Sequence, residues 1–383
     1  MYWSSLLYDV AFTDYASNDI ANQAAAELTS FGAAYRGPKD ASGKVTPDLL
    51  FRGIFPGETL GPYVSQFLLV PTMFGSQPMS MQFQHFVPGV NYLTDTTTYQ
   101  EVQNGISTGL KLSFDPVNRF LHNARGFAAY THVDVLYQAY FTAFLIMNTL
   151  GVPVNPGNPY FGNKTQNGFG SFGGPDFAAS QGDIAARSLN KVWFQKWLVH
   201  LTPRPEAGGA VLHQILSGNG SKIDATLNNN ILNSAAPQMV FSQNGTYLLP
   251  QPFPEGSPTH PSYPTGHGTV AGACITLLKF FLDGTFVFPA PVQPTNDGLA
   301  TVPYTGGDTL TVNGELNKLA HNITFGHGIL AGIHWRADSD WSMTLGEALA
   351  LSWLQNRAMT YNEKFTISLQ RLDGSTATIS NIV

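Results

Sequence analysis

The chain has 383 residues, of which 43% are hydrophobic, 12% aromatic and only 11% charged. Disorder requires low hydrophobicity and high charge, so that class is excluded. Nineteen basic against 25 acidic residues, with no basic block, argue against nucleic acid, and the single cysteine, Cys274, excludes an intrachain disulfide and a cysteine-based metal cluster.

Helical periodicity dominates the chain in order. Residues 14–34 are Ala-rich and predict a helix whose inner face carries Ile20, Ala24, Leu28 and Phe31. Residues 124–150 predict one long buried helix. Residues 183–200 place Ala185, Leu189, Val192 and Trp193 at i, i+4, i+7 and i+8, the spacing of a helix face. Residues 267–282 and 314–354 are also expected to be helical. Residues 301–304 and 309–312 predict a small β-hairpin around Gly306 and Gly307. Long loops rich in Gly, Pro and Asn fill 151–175 and 217–264, and long ordered loops are commonly functional. The expectation is a single all-α domain over 1–383, whose loops and helix ends build a site.

The longest apolar stretches, 139–147 and 272–282, fall short of the roughly 20 residues a membrane helix needs. No basic residue precedes Arg36, so the start lacks the charged region of a secretory leader, and the compartment is left open. The scarcity of charge predicts surface buried against further copies of the chain.

Three clusters carry chemistry. Lys196 and Arg204 stand eight apart where Pro203 and Pro205 stop a helix, a pattern that by itself also describes ordinary complementation of the helix dipole. In His260-Pro-Ser-Tyr-Pro-Thr265-Gly266-His267, a hydroxyl, a glycine amide and an imidazole sit at the start of an apolar helix. That is either a plain cap or an anion site. In Gly332-Ile-His334-Trp-Arg-Ala-Asp338, the imidazole and carboxylate share a face at i,i+4, so the acid can orient the base. His85, His122, His132, His200, His213 and His321 match no metal spacing and read as structural.

The order of these clusters resembles the signature of the vanadium-dependent haloperoxidases and the related type-2 phosphatidic acid phosphatases. The flanks at 50–67, 168–175, 191–200, 204–207 and 260–264 look like the bromoperoxidases of algae and cyanobacteria, over about residues 1–360. The resemblance implies a helical bundle of the vanadium haloperoxidase and acid phosphatase type, assembled as a homodimer or larger. It implies a vanadate cofactor bonded to His334 and held by Lys196, Arg204, Thr265 and Gly266, a pocket that phosphate can also enter. His267 would serve as acid–base for hydrogen peroxide, and Lys196 would polarise it. Bromide or iodide would then be oxidised to hypohalous acid, which halogenates small organic substrates. Trp193 and His260 match the halide side, with Gln195 beside the lysine and Asp338 behind the vanadate histidine.

Two departures from the family's pattern stand out. Thr265 occupies a position usually held by serine. The arginine six residues before the vanadate histidine is absent, and its place falls to His327 with one extra residue before His334, which a π-bulge can absorb. His327 is expected to replace the arginine as an oxyanion donor. A partly cationic imidazole near its reference pKa of about 6.5 predicts vanadate binding that improves as pH falls. A phosphatase would use the same pocket with His334 as nucleophile and His267 as acid. A degenerate phosphate- or vanadate-binding homologue is the third reading.

Overall fold

The computed structural model of the chain describes residues 1–382. Its helices are α1 (Tyr2–Leu6), α2 (Asp19–Ser30), α3 (Thr96–Gln103), α4 (Ala124–His132), α5 (Gln138–Thr149) and α6 (Gly174–Gln195). They continue with α7 (Pro205–Gln214), α8 (Asn229–Leu232), α9 (Ala235–Asn244), α10 (Gly266–Phe281), α11 (Val312–Phe325) and α12 (Arg336–Ala358). Short strands pair as antiparallel hairpins: β1 (Thr72–Phe74) with β2 (Gln77–Met79), and β3 (Phe83–Phe86) with β4 (Phe114–Arg119). Likewise β5 (Val292–Pro294) pairs with β6 (Thr301–Pro303), and β7 (Thr366–Gln370) with β8 (Thr376–Ser380). No sheet among the described residues exceeds two strands, so the architecture is all-α, as the periodicity predicts.

The bundle is organised around α10. Every residue from Gly268 to Phe281 is buried, the mark of a helix that is apolar on all sides, and it packs on α6, α11 and α12. A β-carbon on Gly272 would lie 1.9 Å from the carbonyl oxygen of Met343 in α12, and one on Gly346 would lie 1.9 Å from that of Thr269 in α10. Only glycine permits so close a crossing. Buried side chains from Trp3 to Ile379 form a contiguous core around it.

Several of the expected elements are corrected, among them the helix over 183–200, which runs Gly174–Gln195 and passes into the π turn Lys196–His200, and the loop over 217–264, which contains α8 and α9. The first helix begins at Asp19 rather than residue 14, because the Asn18 side chain caps it by accepting from the Ala21 amide, and a 3-10 turn precedes it. The expected helix over 124–150 breaks between His132 and Gln138. The β-branched Val133 and Val135 there are 87% and 56% exposed, and such residues are weak helix formers. The expected helix over 314–354 is interrupted by a π turn, Gly326–Leu330, and by a non-helical link through His334. Glycines at 326, 328 and 332 make helix costly there. In the expected hairpin, β6 takes Val292–Pro294 as partner instead of 309–312. Thr311 is consumed as the N-cap of α11, accepting from the Gly314 amide.

Candidate active site

Three helices begin at one end of the bundle. Arg204 is the N-cap of α7, Thr265 of α10 and Trp335 of α12. Local sequence puts them there. After Gln195 the chain makes a π turn, Lys196–His200, and then turns left-handed at Leu201 (φ 49°), before Pro205 opens α7. Gly332, at φ 73°, performs the same reversal ahead of His334, a conformation that glycine adopts without strain. Helix N-termini present unsatisfied amides and positive potential, so their convergence favours an anion.

The groups facing this point are buried: Lys196 and Thr265 are 0% exposed and His334 1%. Lys196 Nζ donates to the carbonyls of Pro261 and Ser262, leaving one of its three N–H bonds for another acceptor. Burial, with Arg204 as the second cause, lowers its pKa from 10.5 to about 7. Arg204 donates through Nε to the His260 carbonyl at 2.9 Å, through Nη2 to His260 Nδ1 at 3.1 Å and through Nη1 to His334 Nε2 at 3.1 Å. Guanidinium can only donate. His334 Nε2 therefore carries the lone pair, and the proton sits on Nδ1. That proton meets Ser262 Oγ at 3.1 Å and Asp338 Oδ2 at 3.3 Å, and the serine hydroxyl in turn donates to the same carboxylate. Burial, then Arg204 and Lys196, holds His334 well below the usual imidazole range, so the ring is neutral.

The remaining donors complete a cradle. Thr265 Oγ1 is buried and has no hydrogen-bond partner, while its amide donates to Ser342 Oγ at 2.9 Å. The first-turn amides of Gly266 and His267 have no intrahelical acceptor. An ammonium, a guanidinium and an unpaired hydroxyl are hydrogen-bond donors suited to a desolvated tetrahedral oxyanion, and the neutral imidazole lone pair can bond to its central atom.

The sequence-predicted residues thus meet, with qualifications. His267 Nε2 lies 3.0 and 3.2 Å from the two Asp134 carboxylate oxygens. Its ring stacks on His327 at 3.8 Å between centroids and 22° between planes. His327 lies in the π turn Gly326–Leu330, 5.7 Å from the His334 ring. Its expected partial charge is not found: burial, then His267, Arg204 and Lys196, pushes its pKa well below the ordinary value. His334 and Asp338 meet across a helix start rather than on one helix face, since His334 precedes the N-cap and Asp338 accepts from the Trp335 amide at 3.1 Å. Trp193 packs on His260 at 4.8 Å between centroids. Gln195 is half-buried. Arg336 turns away to the Arg52 carbonyl at 2.7 Å and to Asp340.

The motif spacing does not single out Asp134, Ser262 or Ser342 as site residues. Asp134 lies in the break between α4 and α5, and the sequence signal for it was the pair of β-branched valines flanking an acid. Ser262 sits inside the second motif, where it reads as loop. Ser342 carries no signal of its own.

An all-α bundle whose helix starts enclose a cationic, imidazole-bearing oxyanion cradle defines a class of oxyanion-binding proteins. No protein-family model matches the chain. It is 36% identical over 395 residues to the vanadium-dependent bromoperoxidase of Ascophyllum nodosum, covering 98% of this chain and 69% of that protein. It is 33% identical over 384 residues to the vanadium-dependent bromoperoxidase of Corallina officinalis, covering 88% and 64% respectively. The homohexameric structure of the second vanadate-dependent bromoperoxidase of Ascophyllum nodosum superposes with a TM-score of 0.91 at 30% identity, over 99% of this chain and 69% of that one. The chain belongs to the vanadium-dependent bromoperoxidase family, and spans about two thirds of the length of the curated relatives it matches.

Proposed function

We propose that the protein is a vanadate-dependent haloperoxidase that oxidises bromide and iodide with hydrogen peroxide to hypohalous acid. The observation that carries this reading is the protonation of His334. Asp338 and Ser262 fix the proton on Nδ1, so Nε2 carries the lone pair, which accepts from Arg204 Nη1 and which a bound group would take over. Vanadate would be held by His334, Lys196, Arg204, Thr265 and Gly266, and when bound it supplies a Lewis-acid centre that activates peroxide toward halide.

The chain's own residues do the rest. Arg204 and the free N–H of Lys196 balance anionic charge where burial keeps water from competing. Thr265 keeps the hydroxyl that a serine would supply. Asp134 holds His267 with Nε2–H directed at the carboxylate, leaving Nδ1 to take up and return a proton. His327 contributes a neutral ring beside His267 in place of a permanent charge. Trp193 and His260 form the halide side. The family relationship and the sparse charge support assembly as a homo-oligomer, and no described helix is long and apolar enough to cross a membrane.

The test is bromination of monochlorodimedone with peroxide and added vanadate, beside hydrolysis of p-nitrophenyl phosphate. Bromination in the mildly acidic to neutral range is the expected result. Its absence across that range despite vanadate loading overturns the assignment, and hydrolysis without bromination favours a phosphatase with His334 as nucleophile.

A further inference from the structure

A cavity of about 830 Å³ lies on the other side of α12 from the oxyanion cradle. The helix turns Asp338 and Ser342 toward the cradle, and Arg336, Asp340 and Trp341 toward the cavity. Residues two apart on a helix do not share a face, so the thickness of one helix separates the two places. The haloperoxidase reading makes no use of the second.

The walls of the cavity are apolar and fixed in place. Trp3, Phe51 and Ile329 line its inner part and are each no more than 6% exposed. Trp3 donates through Nε1 to Glu27 Oε2 at 2.6 Å. Phe51 stands in the left-handed region at φ 58°, and its carbonyl accepts from Tyr63 Oη at 3.0 Å and from His321 Nε2 at 2.8 Å. Backbone held in that region by its surroundings gathers at ligand sites. Ile54 and Trp341, 52% and 64% exposed, form the rim beside the exposed Arg36. Preformed, mostly apolar hollows of roughly 300–1,000 Å³ are the usual form of a small-molecule site.

One permanent charge on this lining is incompletely matched. Among the described residues, Arg336 makes one hydrogen bond, from Nη2 to the Arg52 carbonyl. Its Nε stands 3.4 Å from Asp340 Oδ2, longer than a charge-assisted hydrogen bond of about 2.7–2.9 Å. Both that Nε and Asp340 Oδ1 are without a hydrogen-bond partner. A guanidinium has five N–H groups and can only donate, so donors remain for a carboxylate, which guanidinium grips with two parallel bonds. Arg36 and Arg336 set two positive side chains against the single negative one of Asp340. That surplus suits an anionic head better than the neutral surface of a second copy.

We propose that this cavity binds an apolar monocarboxylate of the medium-chain fatty acid class. Its tail would lie among Trp3, Phe51 and Trp341, and its head would face Arg336 and Arg36. Binding requires nothing of the cradle, so it stands apart from what the cradle holds.

The experiment is calorimetric titration of the whole chain with octanoate, n-octanol and octyltrimethylammonium at one ionic strength. Octanoate should bind, and octyltrimethylammonium should bind at least about tenfold more weakly, on the order of one close charge contact. Arg336→Gln should weaken octanoate by at least about tenfold, the range of a hydrogen bond to a charged group, and leave n-octanol unchanged. Arg36→Gln should weaken octanoate about two- to fivefold, as an exposed charge does. Trp341→Ala should weaken octanoate and n-octanol alike, about three- to tenfold, the range of one aromatic contact. Arg36 and Trp341 are exposed at the rim, so these two variants keep the test open if Arg336→Gln fails to fold. Octanoate that fails to bind, or binds no more tightly than octyltrimethylammonium, overturns the proposal, as does an octanoate affinity unchanged in all three variants. If octanoate fails to bind and Trp341→Ala also lowers the sedimentation coefficient, a second copy covers the cavity instead.

Discussion

The proton on His334 Nδ1 decides what the site can hold, and two side chains put it there. Replacing Asp338 with asparagine keeps the shape but lets the amide present its N–H₂ to Nδ1, which would reverse the tautomer. Removing such an outer partner of a ligating histidine typically costs about 10- to 100-fold in metal affinity. Equilibrium dialysis of vanadate against Asp338→Asn should show a loss of that order, and an unchanged affinity would mean that Ser262 alone fixes the ring. Charge is the second residue-scale issue. From the sequence, the titrating group near neutrality is His327. The structure moves that role to Lys196, whose pKa lies at about 7 rather than 10.5. A bound anion requires the ammonium, so above pH 7 binding must draw a proton from solution and weakens by up to about tenfold per pH unit. Binding of tungstate, which does not titrate here, should be flat below pH 7 and fall above it, and His327→Ala should retain that slope. The same depression lowers folding stability as pH falls from 10.5 toward 7, because the unfolded lysine binds a proton that the folded one gives up.

At the scale of elements, the cradle depends on how α10 and α12 cross. Thr265 and Gly266 begin one helix, and His334 immediately precedes the other. Gly346→Ala would force the helices apart at Thr269, at a cost of about 1–3 kcal/mol for overpacking. It should lower the thermal midpoint and vanadate affinity together, although residue 346 donates nothing to the anion. Intact affinity in a destabilised variant would show that the helix starts are positioned by their loops instead. Much of this was legible in the sequence. The apolar run of α10 and the three motifs lie where periodicity and spacing place them, whereas α6 starts at Gly174, ahead of the expected residue 183. The breaks were not. The interruptions at 133–137 and 326–335 look continuous to a pattern of apolar residues, because Val133 and Val135 satisfy hydrophobic spacing while facing solvent. Asp134 is illegible for the same reason: its function exists only because the helix stops, and the donor it accepts from, His267, is 133 residues away in sequence. Spacing shows that residues belong to one motif. It does not show which distant side chain will orient them.

For the whole molecule, the low charge noted at the outset bears on assembly. With 19 basic and 25 acidic residues in 383, few charges are available to pair between copies, and solvent-exposed pairs contribute little and are screened by salt. Association through neutral surface should therefore give the same sedimentation coefficient at low salt and at about 1 M, where the Debye length is only about 3 Å. Dissociation at high salt would show that ionic contacts carry the assembly after all. The π turn at Gly326–Leu330 has a different kind of consequence. It stores one residue of surplus between two fixed ends, α11 and His334. Gain or loss of a single residue in that turn would place a different side chain against the His267 ring while His334 keeps its place. The surroundings of the cradle are thereby open to change by length as well as by substitution, without the rest of the bundle being redrawn.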